Sequence, residues 1–116
     1  MIKLIQIDSA GHYRGYLDLR GYRHPLPADL VSISGSLYLC GYGHPLPAGF
    51  TSVGKDLDLG GYGYPLPAGF RRTGGSLYLH GYRHPLPAGF DWLNGYIEFG
   101  DYVHALPAGL AERDVR

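Results

Sequence analysis

A period of twenty residues constrains this chain more than any other feature. Nearly the same ten letters, GYGHPLPAGF and GYRHPLPAGF, begin at Gly41 and Gly81, and near-copies begin at Gly21, Gly61 and Asp101. A fixed period in this range marks a solenoid, whose single unit cannot bury its own apolar face and gains partners only by stacking. The columns read G-Y-x-H-P-L-P-A-G-F-x-x-x-x-G-x-L-x-L-x, and GYLDLR at residues 15–20 already fits the end of the pattern. With 116 residues there is room for one domain and a modest core. The expected organisation is an N-terminal cap strand over residues 1–14, repeats over 15–110 and a charged tail over 111–116.

The last third of each unit alternates apolar and variable residues, as a strand with one buried face does. Its inward pairs are Leu17/Leu19, Leu37/Leu39, Leu57/Leu59, Leu77/Leu79 and Ile97/Phe99. Twenty residues are too few for a strand plus a crossover helix, so successive strands are predicted to stack in parallel, one per coil. The H-P-L-P segment is predicted to lie outside any ladder, because two prolines remove donors aimed at one neighbouring coil. Leu26, Leu46, Leu66, Leu86 and Leu106 can still point inward there. Gly49, Gly69, Gly89 and Gly109 are expected to turn the chain at positive φ, with Asp29 as the non-glycine member of that column. Leu30, Phe50, Phe70, Phe90 and Leu110 then fill the core, and Ile33, Val53 and Leu93 add a further inward point, with Thr73 the exception. The predicted fold class is therefore an all-β, single-domain parallel β-solenoid of about five to six coils. At the ends, MIKLIQID is expected to cover the first coil, while Asp101, Ala105 and the charged AERDVR protect the last.

Composition narrows the function classes. Formal net charge is zero, with ten basic and ten acidic side chains scattered along the chain. This gives no electrostatic footprint for nucleic acid or an anionic membrane, and disfavours a nucleic-acid mimic. Glycine (19), tyrosine (11) and proline (9) are abundant, yet 45% hydrophobic residues and a strict period argue against disorder. A single cysteine, Cys40, excludes an internal disulfide and favours a reducing compartment. No apolar run has the length of a signal peptide or a membrane span. A soluble cytoplasmic protein without cofactors is expected.

The pattern L-x-L, a turn, then L-P, seen best in TSVGKDLDLGGYGYPLP, resembles short bacterial leucine-rich repeats of a prophage type with twenty-residue units. The likeness covers about 100 residues. In place of the asparagine usual after the strand stand Tyr22, Tyr42, Tyr62, Tyr82 and Tyr102. The resemblance implies scaffold and protein-recognition work, with a phage-encoded inhibitor of a host defence protein, acting in the host cytoplasm, as the sharpest form of that expectation.

Four histidines, His24, His44, His84 and His104, share one column interrupted by Tyr64. Stacking brings neighbouring imidazoles to about 5 Å, near enough for two to share a metal. Structural zinc takes four ligands, however, and neither cysteine nor carboxylate joins the column. The expected role is structural: a ring packed on proline that bonds a turn carbonyl. The unbroken tyrosine column is expected to form a stacked ladder.

The strand's outward positions vary from coil to coil and are the better place to seek function. Tyr16, Asp18, Tyr38, Asp58, Tyr78, His80, Tyr96 and Glu98 make a tyrosine-and-acid face suited to a protein partner. Trp92 falls one coil from Arg72 in one column, which suits a cation–π contact. No nucleophile elbow, phosphate loop or paired-ligand motif accompanies Ser36, Ser76, His80 and Asp58, so catalysis is not expected. Two other classes stay open: a carbohydrate-binding module using the stacked tyrosines, and an assembly component stacking end to end. A homodimer through the strand face or an end coil is compatible with the pattern.

Overall fold

The computed structural model describes residues 7–111. The chain winds as a parallel β-solenoid of about four turns, slightly fewer than the five to six coils expected. Each coil carries two short strands rather than the single one predicted. The first sheet is built from β1 (His12–Tyr13), β3 (Ser32–Ile33), β5 (Ser52–Val53), β7 (Arg72–Thr73) and β9 (Trp92–Leu93). The second contains β2 (Leu17–Asp18), β4 (Leu37–Tyr38), β6 (Leu57–Asp58), β8 (Leu77–Tyr78) and β10 (Ile97–Glu98). All pairs are parallel and in register at a twenty-residue offset, Leu37 against Leu57 and Val53 against Thr73. The first-sheet strand escapes the alternation rule because only one residue per coil, the Ile33 column, points inward. Of the expected N-terminal cap, residues 1–6 lie outside the described residues, but Ile7 packs against the core. The last described turn is the short helix α1 (Ala108–Ala111), and the tail from residue 112 also lies outside.

The core follows the columns. Leu17, Leu19, Leu37, Leu39, Leu57, Leu59, Leu77, Leu79 and Ile97 are buried, and Phe99 is half-buried at the last coil. Leu26, Leu46, Leu66 and Leu86 enter the core from the proline segment, and Leu106 does so partly. Phe50, Phe70 and Phe90 form an internal aromatic file, with centroids 5.8 and 4.9 Å apart, between Leu30 and Leu110. Each such side chain contributes about 1.5–3 kcal/mol by burial. Thr73 is fully buried among them, with no hydrogen-bond partner for its hydroxyl.

The proline segment makes no sheet, as expected, and the tyrosine column shows how it is held. Within the ladder, a backbone N–H reaches the carbonyl 21 residues earlier, as Gly54 N–H does to Ile33. For the carbonyls of residues 24, 44 and 64 that donor position is Pro45, Pro65 or Pro85, which has no N–H. Tyrosine hydroxyls supply the missing donors. Tyr42 donates to the His24 carbonyl (2.7 Å), Tyr62 to His44 (2.7 Å) and Tyr82 to Tyr64 (3.1 Å). Tyr102 keeps the same bond to the His84 carbonyl (2.9 Å), although Ala105 stands where the other coils have proline. The Tyr82 hydroxyl also accepts the N–H of Leu66, which lies between two prolines, at 3.1 Å. Leu26, Leu46 and Leu86 bond to Tyr42, Tyr62 and Tyr102 in the same way. One side-chain oxygen thus satisfies both a carbonyl and an amide of the preceding coil. The rings stack as they do so, Tyr42 on Tyr62 at 6.4 Å and 11°, and Tyr82 on Tyr102 at 6.2 Å and 14°.

The left-handed glycines are not those expected. Gly49, Gly69, Gly89 and Gly109 do not adopt positive φ. Their turn is closed by an ordinary bond, Phe50 N–H to the Pro47 carbonyl at 3.0 Å, in a geometry that Asp29 adopts equally. Positive φ falls on Gly21, Gly41, Gly61 and Gly81, the first residue of the repeat (83°, 76°, 70° and 77°). Each is the third residue of a turn such as Leu59–Tyr62, where the Tyr62 N–H reaches the Leu59 carbonyl at 3.0 Å. A type II turn needs φ above zero at that place. In the last coil Asp101 occupies the column, and the positive φ moves back one residue to Gly100 (54°).

Gly61→Ala is therefore expected to cost about 1–2 kcal/mol, whereas Gly69→Ala, with open space around its added methyl, should be neutral or stabilise by about 0.4–1 kcal/mol. Denaturant unfolding of both variants checks the assignment. The staples give a second expectation. Burial pushes the Tyr42 hydroxyl up to about 12 and raises Tyr62, Tyr82 and Tyr102 above their ordinary value as well. Ionisation is thus harder in the folded state, so this stabilisation is whole below about pH 10 and is lost as pH rises through 12. Melting temperature measured from pH 8 to 12 should fall only above about pH 10. Tyr82→Phe, which orphans a carbonyl and an amide at once, should lose about 1–3 kcal/mol at pH 7.

Candidate functional site

The second sheet presents its alternate residues outward because the pleat sends Leu17, Leu19 and their counterparts into the core. In-register pairing lines these outward residues into straight files. Asp18, Tyr38, Asp58, Tyr78 and Glu98 stand opposite one another in succession, so acid and tyrosine alternate along the axis. A parallel file holds Tyr16, Ser36, Asp56, Ser76 and Tyr96, and another holds Arg20, Cys40, Gly60, His80 and Gly100. All eight residues expected to form the face lie on this one sheet and its flanks.

They divide into two clusters. At the N-terminal end, Arg20 pairs bidentately with Asp18, Nε to Oδ1 at 2.8 Å and Nη2 to Oδ2 at 2.6 Å. The same guanidinium lies over the Tyr38 ring, 5.5 Å from its centroid. Tyr16, 65% exposed, meets Tyr38 edge-on at 6.5 Å. Hydrogen bonding from Arg20 holds the Asp18 carboxyl at about 2, well below the usual carboxylate range.

Two coils further on, the face opens into a shallow depression of about 590 Å³ lined by Cys40, Asp58, Gly60, Tyr78, His80 and Glu98. Tyr96 braces Tyr78 from the side, ring edge to ring at 6.1 Å, with the hydroxyls 3.4 Å apart. That bond and partial burial push the Tyr78 hydroxyl up to about 12. Asp101, which approaches His80 at 3.8 Å, also accepts the Gly81 N–H at 2.7 Å. This backbone bond holds the Asp101 carboxyl below its ordinary value.

The histidine file lies elsewhere, over the proline segment. The Nε2 atoms of His44, His84 and His104 face the carbonyls of Arg23, Gly63 and Arg83 at 3.2, 3.0 and 2.8 Å. Tyr64 places its hydroxyl on the Gly43 carbonyl at 3.1 Å. A donor to the preceding coil is what this column requires, which is why tyrosine substitutes for histidine in it. Each ring packs beside its coil's tyrosine, His44 on Tyr42 and His24 on Tyr22, both at 5.6 Å. Among the described residues no group of three or more histidine, cysteine, aspartate or glutamate side chains is placed to hold a metal ion. On the opposite sheet, Arg72 lies over Trp92 at 5.8 Å, the contact their shared column predicted.

Cys40, Gly60 and Arg20 were not among the residues expected to form the site. The signal for them is the file they share, in which two glycines interrupt three larger side chains. Comparison of the chain with protein-family models, with curated proteins and with solved structures finds no match. Among the described residues no helix is long and apolar enough to cross a membrane.

The Asp18–Arg20 pair is expected to behave as one unit. In Arg20→Ala the Asp18 carboxyl should titrate near 3.9 instead of about 2, as followed by carboxyl-carbon NMR between pH 1.5 and 6.

Proposed function

We propose that this is a non-enzymatic protein-binding repeat module that docks through the outward face of its second sheet. The observation that carries the reading is the file Asp18, Tyr38, Asp58, Tyr78, Glu98, held in register along a parallel ladder. Tyrosine gives large contact area at low entropic cost, and alternating carboxylates favour a partner surface that carries cations. The backbone beneath Tyr38, Asp58 and Tyr78 is paired on both sides, so this part of the face is presented without a further ordering cost. A host protein, in line with the prophage-type resemblance, is the first partner class to test.

The carbohydrate reading leaned on the repeat tyrosines, but Tyr42, Tyr62, Tyr82 and Tyr102 are buried with their hydroxyls engaged by backbone. A sugar would meet other residues, and no specific feature of the face favours one.

Affinity capture from bacterial lysate, followed by reconstitution with the purified captured protein, tests the proposal. A Tyr38/Tyr78→Ala double variant should bind at least ~10-fold more weakly while keeping its circular dichroism spectrum. Undiminished binding by a folded double variant would exclude this face.

A further inference from the structure

The repeat allows one cluster on the face to be compared with its copy forty residues later. In the first, Asp18, Arg20 and Tyr38 form a complete arginine site: carboxylate forked to guanidinium, guanidinium laid on a tyrosine ring. In the second, the same columns hold Asp58, Gly60 and Tyr78. The carboxylate and the ring are kept, and the arginine is replaced by glycine.

The local geometry is also kept. Asp18 is oriented by accepting the Arg20 N–H on Oδ1 at 3.1 Å, and Asp58 by accepting the Gly60 N–H on Oδ1 at 2.9 Å. Asp18 faces Tyr38, and Asp58 faces Tyr78, through the same parallel register. Where the Arg20 side chain covers the first cluster, the second has the depression of about 590 Å³. Its wall carries an additional carboxylate, Glu98, opposite Tyr78 in the ladder.

We infer that Asp58, Gly60 and Tyr78 form a receptor for an arginine side chain supplied by a partner protein, seated as Arg20 is seated between Asp18 and Tyr38. The chemistry selects arginine over lysine. A planar guanidinium stacks on a phenol ring and forks onto a carboxylate at the same time, leaving further N–H donors for Glu98. Gly60 supplies the room, since a Cβ there would already stand 3.0 Å from Asp58 Oδ1 and 3.2 Å from the His80 carbonyl. The inference rests on the protein-binding reading and names the side chain that the partner must bring.

The test is an amide-resolved NMR titration with the peptide acetyl-Gly-Arg-Gly-amide, beside its citrulline counterpart, which is nearly isosteric but uncharged. The arginine peptide is expected to shift the Gly60, Gly61, Tyr78 and His80 amides with a dissociation constant on the order of 1–10 mM, and citrulline to bind at least ~10-fold more weakly. Asp58→Asn should lose the shifts by removing the charge. Gly60→Arg should lose them by filling the site from within, as Arg20 does in the first cluster. Gly60 lacks positive φ, but a Cβ there meets Asp58 Oδ1 at 3.0 Å and the His80 carbonyl at 3.2 Å. A dispersed spectrum must therefore first verify that this variant folds, and Asp58→Asn carries the test if it does not. Equal shifts from arginine and citrulline, or full binding by both folded variants, overturn the inference. The two readings fail separately. A captured partner that is lost with the Tyr38/Tyr78→Ala variant yet binds Asp58→Asn and Gly60→Arg unchanged refutes the arginine receptor and leaves the docking face standing.

Discussion

The solenoid depends on solving one hydrogen-bonding problem. Each coil returns through a segment with two prolines, and proline cannot donate to a neighbouring chain. A stack of such coils would leave a row of carbonyls, and the amides caught between prolines, without partners on one whole side. The tyrosine of the following coil reaches in and satisfies both with a single hydroxyl. With that side closed, the leucine and phenylalanine files can be buried against it. The sheets on the other sides are then free to run as ordinary parallel ladders. Proline and tyrosine recur together because each is the condition for the other: proline keeps the return segment extended, and tyrosine makes its lost donors harmless.

Much of this was legible in the sequence. Period, strand stacking, inward leucines and the absence of pairing at H-P-L-P all follow from column chemistry, since a residue repeated every twenty positions meets its own copies. The second sheet was not legible, because a two-residue strand with one inward side chain, such as Ser32–Ile33, has no alternation to read. The left-handed glycines were misplaced for a related reason. Three glycine columns per repeat compete for the role, and only the backbone shows that the turn after leucine needs positive φ while the turn after proline does not. The role of tyrosine could be narrowed to stacking, but not to a particular carbonyl, without the offset of one coil on the next.

On the candidate face the sequence identified the side chains but not their grouping. Asp18 and Asp58 look alike in a list; in the fold one is spent on Arg20 and the other borders open space. What separates them is a glycine, a residue easily passed over because it contributes no chemistry. In a stacked array the absence of a side chain in one file carries information, since its neighbours above and below define what would have stood there.

The strict register has a consequence for how such a molecule can change. Neighbouring rungs lie about 4.8 Å apart, so the Arg20-bearing cluster and its glycine counterpart, two coils on, are separated by roughly 10 Å. Inserting one whole coil between them lengthens that spacing by a single rung without disturbing any column, because every contact is made at a fixed offset to the adjoining unit. The chain is in this sense a ruler with movable marks. The distance between recognition points can be reset by unequal recombination within the repeat array, while the chemistry of each mark is tuned by point substitution.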